Sequence, residues 1–155
     1  IGTDHAEMAT YYTDYNFDAV YNALSEFKCE KIIENSNVNN IKFNLSIGSS
    51  TTFNVFIYID DDTGFSATAL FDGKTYIAKK ISGGIYRIQV PNVMPYMYGD
   101  SVQISGTAGG DFSAIGSVLY YAGVRMNNTT DEYEKQAYAS AYYYYLAAKA
   151  IFDQQ

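Results

Sequence analysis

The stretch Ile41-Lys-Phe-Asn-Leu-Ser-Ile47 alternates apolar and polar residues without a break, which is the pattern of a half-buried β-strand. Gly48-Ser-Ser50 follows as a turn, and after Thr51 and Thr52 comes a second stretch with strand-like spacing, Phe53-Asn-Val-Phe-Ile-Tyr-Ile59. Its odd-numbered residues are expected to face the core. Phe56 and Tyr58 then lie on the outer face of the strand, where we expect contact with water. The two stretches predict an antiparallel, mainly β fold.

The same alternation continues toward the C-terminus. Asp72-Gly73 is a strong signal for a two-residue hairpin turn. Pro91 and Pro95 bracket a loop, and the Asn-rich residues 35–40 are predicted to form another. Further strands are predicted at 65–71, 75–81, 85–90, 101–105 and 112–115. Together they predict an antiparallel, immunoglobulin-like β-sandwich over residues 41–115.

Helices are predicted on both sides of the sandwich. Residues 4–15 carry a ragged helical stripe and are interpreted as a helix, with residues 1–15 as the helical end of a preceding module. Asn16 or Asp18 is expected to cap a second short helix at 19–27. At the other end, Thr129 and Glu132 form the pattern of a capping box, and the Tyr/Ala-rich residues 133–152 follow without Pro or Gly. The C-terminal helix, placed at 129–152, closes the sandwich, and residues 1–155 form a single binding module.

Composition limits the class of partner. The chain has 155 residues and a formal net charge of −7, with 17 tyrosines, 9 phenylalanines and no tryptophan. An acidic balance disfavours nucleic acid and anionic membranes, because both require a cationic surface. No apolar run approaches the roughly 20 residues that span a bilayer, so no membrane insertion is expected. The chain begins with Ile1 rather than Met, and we expect it to be a monomeric module of a longer protein.

Three segments, taken together, resemble a domain of large surface and secreted proteins of anaerobic gut Gram-positive bacteria. They are Leu45-Ser-Ile-Gly-Ser-Ser-Thr-Thr-Phe53, Gly84-Ile-Tyr-Arg-Ile-Gln-Val-Pro-Asn-Val93 with Tyr98-Gly-Asp100, and Ala139-Ser-Ala-Tyr-Tyr-Tyr-Tyr-Leu-Ala-Ala-Lys-Ala-Ile-Phe152. The resemblance covers about Val20 to Phe152, although Asn54 stands where the family often has Arg. It implies a small β-sandwich closed by a helix and an extracellular or cell wall-associated location. Family members accompany adhesins, immunoglobulin-binding repeats and carbohydrate-binding modules, so no single ligand is implied.

The run of four tyrosines at 142–145 is the main candidate site. Successive helical residues turn by about 100°, so four cannot all face one core. We expect Tyr144, Ala148 and Ile151 to face the core and Tyr143 to face water. The predicted partner-binding residues are Tyr138, Tyr142, Tyr143, Tyr145 and Lys149, extended by Tyr11, Tyr12 and Tyr15. A competing interpretation is that the phenol groups only reach water from the edge of the core.

Three weaker candidates remain. Tyr96 and Tyr98, on the Pro-bracketed loop, and Phe56 and Tyr58, on the outer strand face, are secondary binding candidates, with a hydrophobic plug as the alternative for the loop. Asp60 and Asp62 give a weak Ca²⁺ candidate in an Asp-rich turn that lacks the usual distal Glu. No metal or other cofactor is therefore expected.

Catalysis is not expected either. The only histidine, His5, lies near the N-terminal end, and the carboxylates at helix starts are explained by the helix dipole. The sequence therefore predicts a non-catalytic binding module. Its most favoured ligand is a host protein, with an immunoglobulin variable region as a candidate. A plant or host polysaccharide, or a purely structural spacer role, is the alternative.

Overall fold

The computed structural model describes residues 16–154 except 28, 35, 48 and 49, and the side chain of Ile47 is also left undescribed. Its helices are α1 (Phe17–Leu24), α2 (Val118–Asn128) and α3 (Glu132–Asp153), with a short 3₁₀ helix at Pro95–Met97. Its strands are β1 (Glu30–Ile33), β2 (Val38–Ile47), β3 (Thr51–Ile59), β4 (Ser66–Phe71), β5 (Lys74–Ile77), β6 (Lys79–Ser82), β7 (Ile85–Val93), β8 (Val102–Thr107) and β9 (Asp111–Gly116). The predicted helix at 4–15 lies outside the described residues.

These strands form two antiparallel sheets. One has the order β1-β9-β8-β4-β5 and the other β2-β3-β7-β6. The inner residues of both sheets belong to one hydrophobic cluster, in which Phe53 on β3, Ile88 on β7 and Ile104 on β8 are almost completely buried. Burial of apolar surface is the main favourable term in folding, so this shared cluster is what holds the two sheets together. A mainly antiparallel β fold is confirmed.

The β2–β3 pair that decides the fold is present as predicted. The inward row of β3 has exposures of 0% at Phe53, Val55 and Ile57. Strand β3 begins at Thr51, two residues before the quoted stretch. Strand β2 begins at Val38 instead of Ile41 and takes three residues from the predicted Asn-rich loop. The reason is that Val38 pairs with Ile59 and is itself buried, so tertiary pairing outweighs the turn preference of its asparagine neighbours.

The Asp72-Gly73 hairpin is confirmed, but the strand after it differs from the prediction. Asp72 and Gly73 have φ angles of 51° and 72°, the pair of positive values that a type I′ turn requires. The predicted strand at 75–81 is in fact two strands that belong to different sheets, because β5 pairs with β4 whereas β6 pairs with β7. Ala78 alone separates β5 and β6, so the chain passes from one sheet to the other at a single residue.

Strand β7 runs through the predicted loop at Pro91 and ends at Val93. Proline lacks the N–H that a ladder needs. The β3–β7 register shifts between Thr51 and Phe53, and Asn92 adopts a left-handed φ of 58° in the same segment. This irregularity accommodates Pro91 within the strand, because a bulge leaves one residue out of the ladder.

The helices form a second, smaller cluster beside the sheets. Asn16 caps α1 by accepting a hydrogen bond from the Ala19 amide at 3.1 Å, so α1 starts two residues before the predicted helix. Ser117 caps α2 by accepting a hydrogen bond from the Tyr120 amide at 3.1 Å. Val20, Leu24, Leu119, Ala122, Met126 and Ala139 are the buried members of this cluster. Tyr98 packs against both clusters and so joins the helices to the sheets.

Candidate functional site

Helix α3 carries most of the candidate residues, and its first turn fixes its start. The Asp131 carboxylate accepts hydrogen bonds from the amides of Tyr133 at 2.9 Å and Glu134 at 3.4 Å, so Asp131 is the N-cap. The predicted capping box of Thr129 with Glu132 is wrong, because the Thr129 hydroxyl donates to the Glu134 side chain at 2.9 Å instead. Glu134 also pairs with Arg125 of α2, which holds the two helices together at this end.

One side of α3 packs on the helical cluster. Tyr138, Tyr142 and Tyr145 recur at i, i+4 and i+7 and all contact this cluster. Beside them, Ala139 is 0% exposed. The Tyr145 ring meets Phe27 edge-on at 6.0 Å between ring centroids. We call Tyr138, Tyr142 and Tyr145 the packed stripe; their exposure to a partner is limited because they hold the helix in place.

The C-terminal end of α3 is fastened to the Pro-bracketed loop. Phe152 stacks on Tyr96 with 4.2 Å between ring centroids and an interplanar angle of 8°. The Lys149 ammonium lies 5.6 Å from the Phe152 ring centroid and pairs with Asp153 at 3.4 Å. Tyr96, predicted as a binding residue, is therefore engaged in anchoring the helix, whereas both of these contacts of Lys149, also a predicted binding residue, are within α3.

Tyr98 has a similar internal role. Its hydroxyl lies 3.0 Å from the Thr51 hydroxyl on β3, and its carbonyl accepts a hydrogen bond from the Leu119 amide of α2 at 3.1 Å. Tyr98 and Tyr138 both line a mostly apolar cavity of about 210 Å³ between the sheets and α3. The loop at 95–98 is thus a junction between sheets and helices, as the plug interpretation of the sequence expects.

The opposite side of α3 presents large side chains to water. Tyr133 is 78% exposed, Tyr144 62% and Ile151 63%. Their spacings of eleven and seven residues put them within roughly 20° of one another around the helix. Tyr143 lies nearer the edge, with an exposure of 38%. Leu146 is 43% exposed but follows the buried Ala139 by seven residues, so it lies on the flank of the packed side. We call Tyr133, Tyr143, Tyr144 and Ile151 the outer face of α3.

The predicted orientation of Tyr144 and Ile151 toward the core is therefore wrong. Tyrosines occur all round this helix, so the apolar pattern alone does not fix which side is buried. The buried side is the one that carries Ala139, because this residue is small enough for the neighbouring helices to approach closely. Tyr143 does face water as predicted, although its ring also contacts Tyr142 at 5.6 Å. Tyr11, Tyr12 and Tyr15 lie outside the described residues.

The Asp-rich turn at 60–62 is engaged in internal contacts. The Asp62 carboxylate accepts hydrogen bonds from the Tyr86 hydroxyl at 2.9 Å and from Lys80 at 3.1 Å. These two donors lower the pKa of Asp62, with the tyrosine contributing most. Asp61 accepts bonds from the amide and hydroxyl of Thr63. Among residues 16–154 that are described, no three acidic, histidine or cysteine side chains cluster to hold a metal.

The outer aromatics of β3 are placed as predicted. Phe56 and Tyr58 lie on the outer surface of the four-stranded sheet, and both are half-buried. The ammonium of Lys42, on the neighbouring strand β2, lies 5.2 Å from the Tyr58 ring centroid, within the range of a cation–π contact. The Lys42 side chain therefore lies over the Tyr58 ring, so this ring belongs to a mixed polar and aromatic surface.

Comparison with known proteins adds no relative. The chain matches no protein-family model, no curated protein and no solved structure. No helix in the described part of the chain has the length and apolar character needed to cross a bilayer.

Sequence analysis missed two kinds of residue. Tyr133 was assigned to the helix but not to a site, although its spacing from Tyr144 and Ile151 was available as a signal. The sequence also gives no sign that Lys79, Arg87 and Gln89 share a surface, because only strand pairing brings them together.

Proposed function

We propose that this chain is a non-catalytic binding module that docks a partner protein on the outer face of α3. The supporting observation is the alignment of Tyr133, Tyr144 and Ile151, each more than 60% exposed, along one side of a 22-residue helix. Solvent-exposed helix faces are ordinarily polar. A row of aromatic and aliphatic side chains on such a face is typical of interaction surfaces.

The charge distribution along α3 supports the same proposal. From Gln136 to Ala148 the helix has no charged residue, although the chain as a whole is acidic. Interface cores are depleted in charge and enriched in tyrosine, because desolvating a charge is costly whereas a phenol ring contributes apolar area and one hydrogen bond. A spacer role would require none of these features.

The wider setting is part of the proposal. We place the module on the surface of a cell or in the extracellular medium, as a monomeric unit of a longer chain with an immunoglobulin-like sandwich. The support is the resemblance described above, and it makes an immunoglobulin variable region the first host protein to test.

Capture from host serum on the immobilised module tests the proposal. Tyr144→Ala, Tyr133→Ala and Ile151→Ala are compared with Tyr21→Ala and Ile81→Ala, which remove exposed side chains of the same types from α1 and β6. Truncating a hot-spot residue is expected to weaken binding by about 2 kcal/mol or more, roughly thirtyfold in Kd. Purified Fab fragments serve as a defined ligand. Equal capture by the α3 variants and the two controls would refute the proposal, provided all variants keep the parent melting temperature.

A further inference from the structure

The outer surface of the four-stranded sheet is organised in rows by the strand register. Lys42 on β2, Phe56 on β3, Arg87 on β7 and Lys79 on β6 are successive cross-strand partners and form one row. The next row is made of amide side chains, from Asn44, Asn54 and Gln89. Asn54 is only 3% exposed, and its amide group donates to the Ser46 hydroxyl at 2.7 Å. Residues of opposite parity, such as Val55 and Ile88, are buried in the core, so these rows face outward.

A groove lies at the end of these rows that is formed by β6 and β7. Strand β5, which belongs to the other sheet, runs beside β7 and supplies the far wall. The groove has a volume of about 460 Å³, within the range of small-molecule sites. Its lining residues combine two cations, an amide, two hydroxyls and a phenol ring: Arg87, Lys79, Gln89, Thr52, Thr75 and Tyr76.

The two cations of the groove form an unfavourable pair. Lys79 lies directly opposite Arg87 in the β6–β7 register, and like charges in that position destabilise a sheet. The ion pairs found among the described residues use Lys80, Arg125 and Lys149, so neither Lys79 nor Arg87 has a carboxylate partner there. In a chain with a net charge of −7, acidic side chains are plentiful, yet none within the described part neutralises this pair.

We propose that the groove binds an acidic saccharide, with the carboxylate of a uronic acid residue between Arg87 and Lys79. A guanidinium and an ammonium bind a carboxylate through charge-assisted hydrogen bonds, and the bound anion removes their mutual repulsion. Gln89, Thr52 and Thr75 supply the donors and acceptors that sugar hydroxyls need. The Tyr76 ring supplies an apolar surface for the face of a pyranose ring. A simple anion would use the cations alone and would leave the remaining polar groups without a role.

The ligand itself provides the sharpest control. Binding of a galacturonic acid trimer is measured by calorimetry beside the same trimer with its carboxylates methyl-esterified, which removes the charge and keeps the hydroxyls. We expect the acid to bind at least about tenfold more tightly than the ester, and its affinity to fall as salt is raised. Equal binding of acid and ester, or no binding of the acid, would overturn the proposal.

Variants of the protein test whether the saccharide binds in the groove. Arg87→Gln and Lys79→Gln are each expected to weaken binding of the trimer about tenfold. Both should keep or raise the melting temperature, because each removes one of two repelling charges. Lys42→Gln is the matched control, since Lys42 is in the same row but outside the groove. An equal loss in Lys42→Gln would show non-specific attraction to the sheet and would overturn the site.

Two further ligands test which kind of negatively charged group the groove accepts. A sulfated disaccharide tests whether any anionic sugar is accepted, and affinity at least equal to that of the uronate would overturn the assignment of a carboxylate. Inorganic phosphate that displaces the trimer at equal concentration would show that the sugar contributes nothing, and would also overturn it. None of these outcomes depends on α3, so this proposal and the protein-docking proposal fail separately.

Discussion

Helix α3 has two tyrosine-bearing sides with similar composition and different surroundings. The packed stripe of Tyr138, Tyr142 and Tyr145 lies on the helical cluster, whereas Tyr133 and Tyr144 on the outer face are mostly in water. Residue type does not distinguish the two sides, because a phenol suits both a core edge and an interface. Their neighbours distinguish them. The comparison teaches that, in a tyrosine-rich helix, position relative to the packed neighbours assigns each ring its role.

The largest effect is expected from introducing a charge on each side. Ala139→Asp places a carboxylate at a fully buried position without a partner, and the free energy of unfolding should fall by about 3 kcal/mol or more. Ala147→Asp, at an exposed position of the same helix, should cost less than about 1 kcal/mol, mostly through helix propensity. Urea unfolding measures both. Similar losses of stability in the two variants would mean that the helix is not held in place by the side that carries Ala139.

A smaller difference is expected between two adjacent tyrosines. Tyr145→Ala removes a half-buried ring from its contacts with Phe27 and the helical cluster, and should cost about 2 kcal/mol of stability, less than a fully buried aromatic would. Tyr144→Ala should change stability by only about 0.5 kcal/mol because its ring is exposed. Chemical denaturation midpoints at unchanged slope report the difference. A larger loss for Tyr144→Ala would restore the original prediction that Tyr144 belongs to the core.

The smallest effect concerns alkaline pH. Burial, with a smaller contribution from Tyr143, raises the pKa of Tyr142 above the ordinary value of a tyrosine. A raised folded-state pKa gives stability that is complete below the unfolded-state pKa and is lost as pH rises through the folded-state value. Stability should therefore decline above about pH 10. Tyr142→Phe should reduce the steepness of that decline in melting temperature, and an unchanged profile would indicate that Tyr142 is hydrated like a free tyrosine.

Much of the β fold was predictable because alternation and hairpin signals are local. The β2–β3 pair and the Asp72-Gly73 turn needed only the residues that form them. The division of 74–82 into β5 and β6 was not predictable, because no Gly or Pro marks the change of sheet at Ala78. The extension of β7 through Pro91 depends on a bulge in β7 itself, where the three-residue step from Val90 to Val93 faces a two-residue step on β3. Proline alone predicts the end of a strand, and the residues that pair beyond it lie far away in the sequence.

The candidate site was less predictable than the fold. The exposure of Tyr143 followed from the rotation of a helix, but the burial of Tyr145 in place of Tyr144 depends on where α1 and α2 lie. The groove beside Arg87 is even harder to predict from the sequence. Lys79 and Arg87 are eight residues apart in sequence, and only the β6–β7 register places them opposite each other.

The passage of the chain between sheets at Ala78 has a consequence for cooperativity. Strands β5 and β6 are held by hydrogen bonds to different sheets and are separated by one residue, so neither sheet can open far without straining the ladder of the other. Native-state hydrogen exchange resolves the units in which a protein opens. A one-residue link between two ladders favours a single unit: slowly exchanging amides in β4 and β7 would then report the same opening free energy, and the two sheets would be lost together.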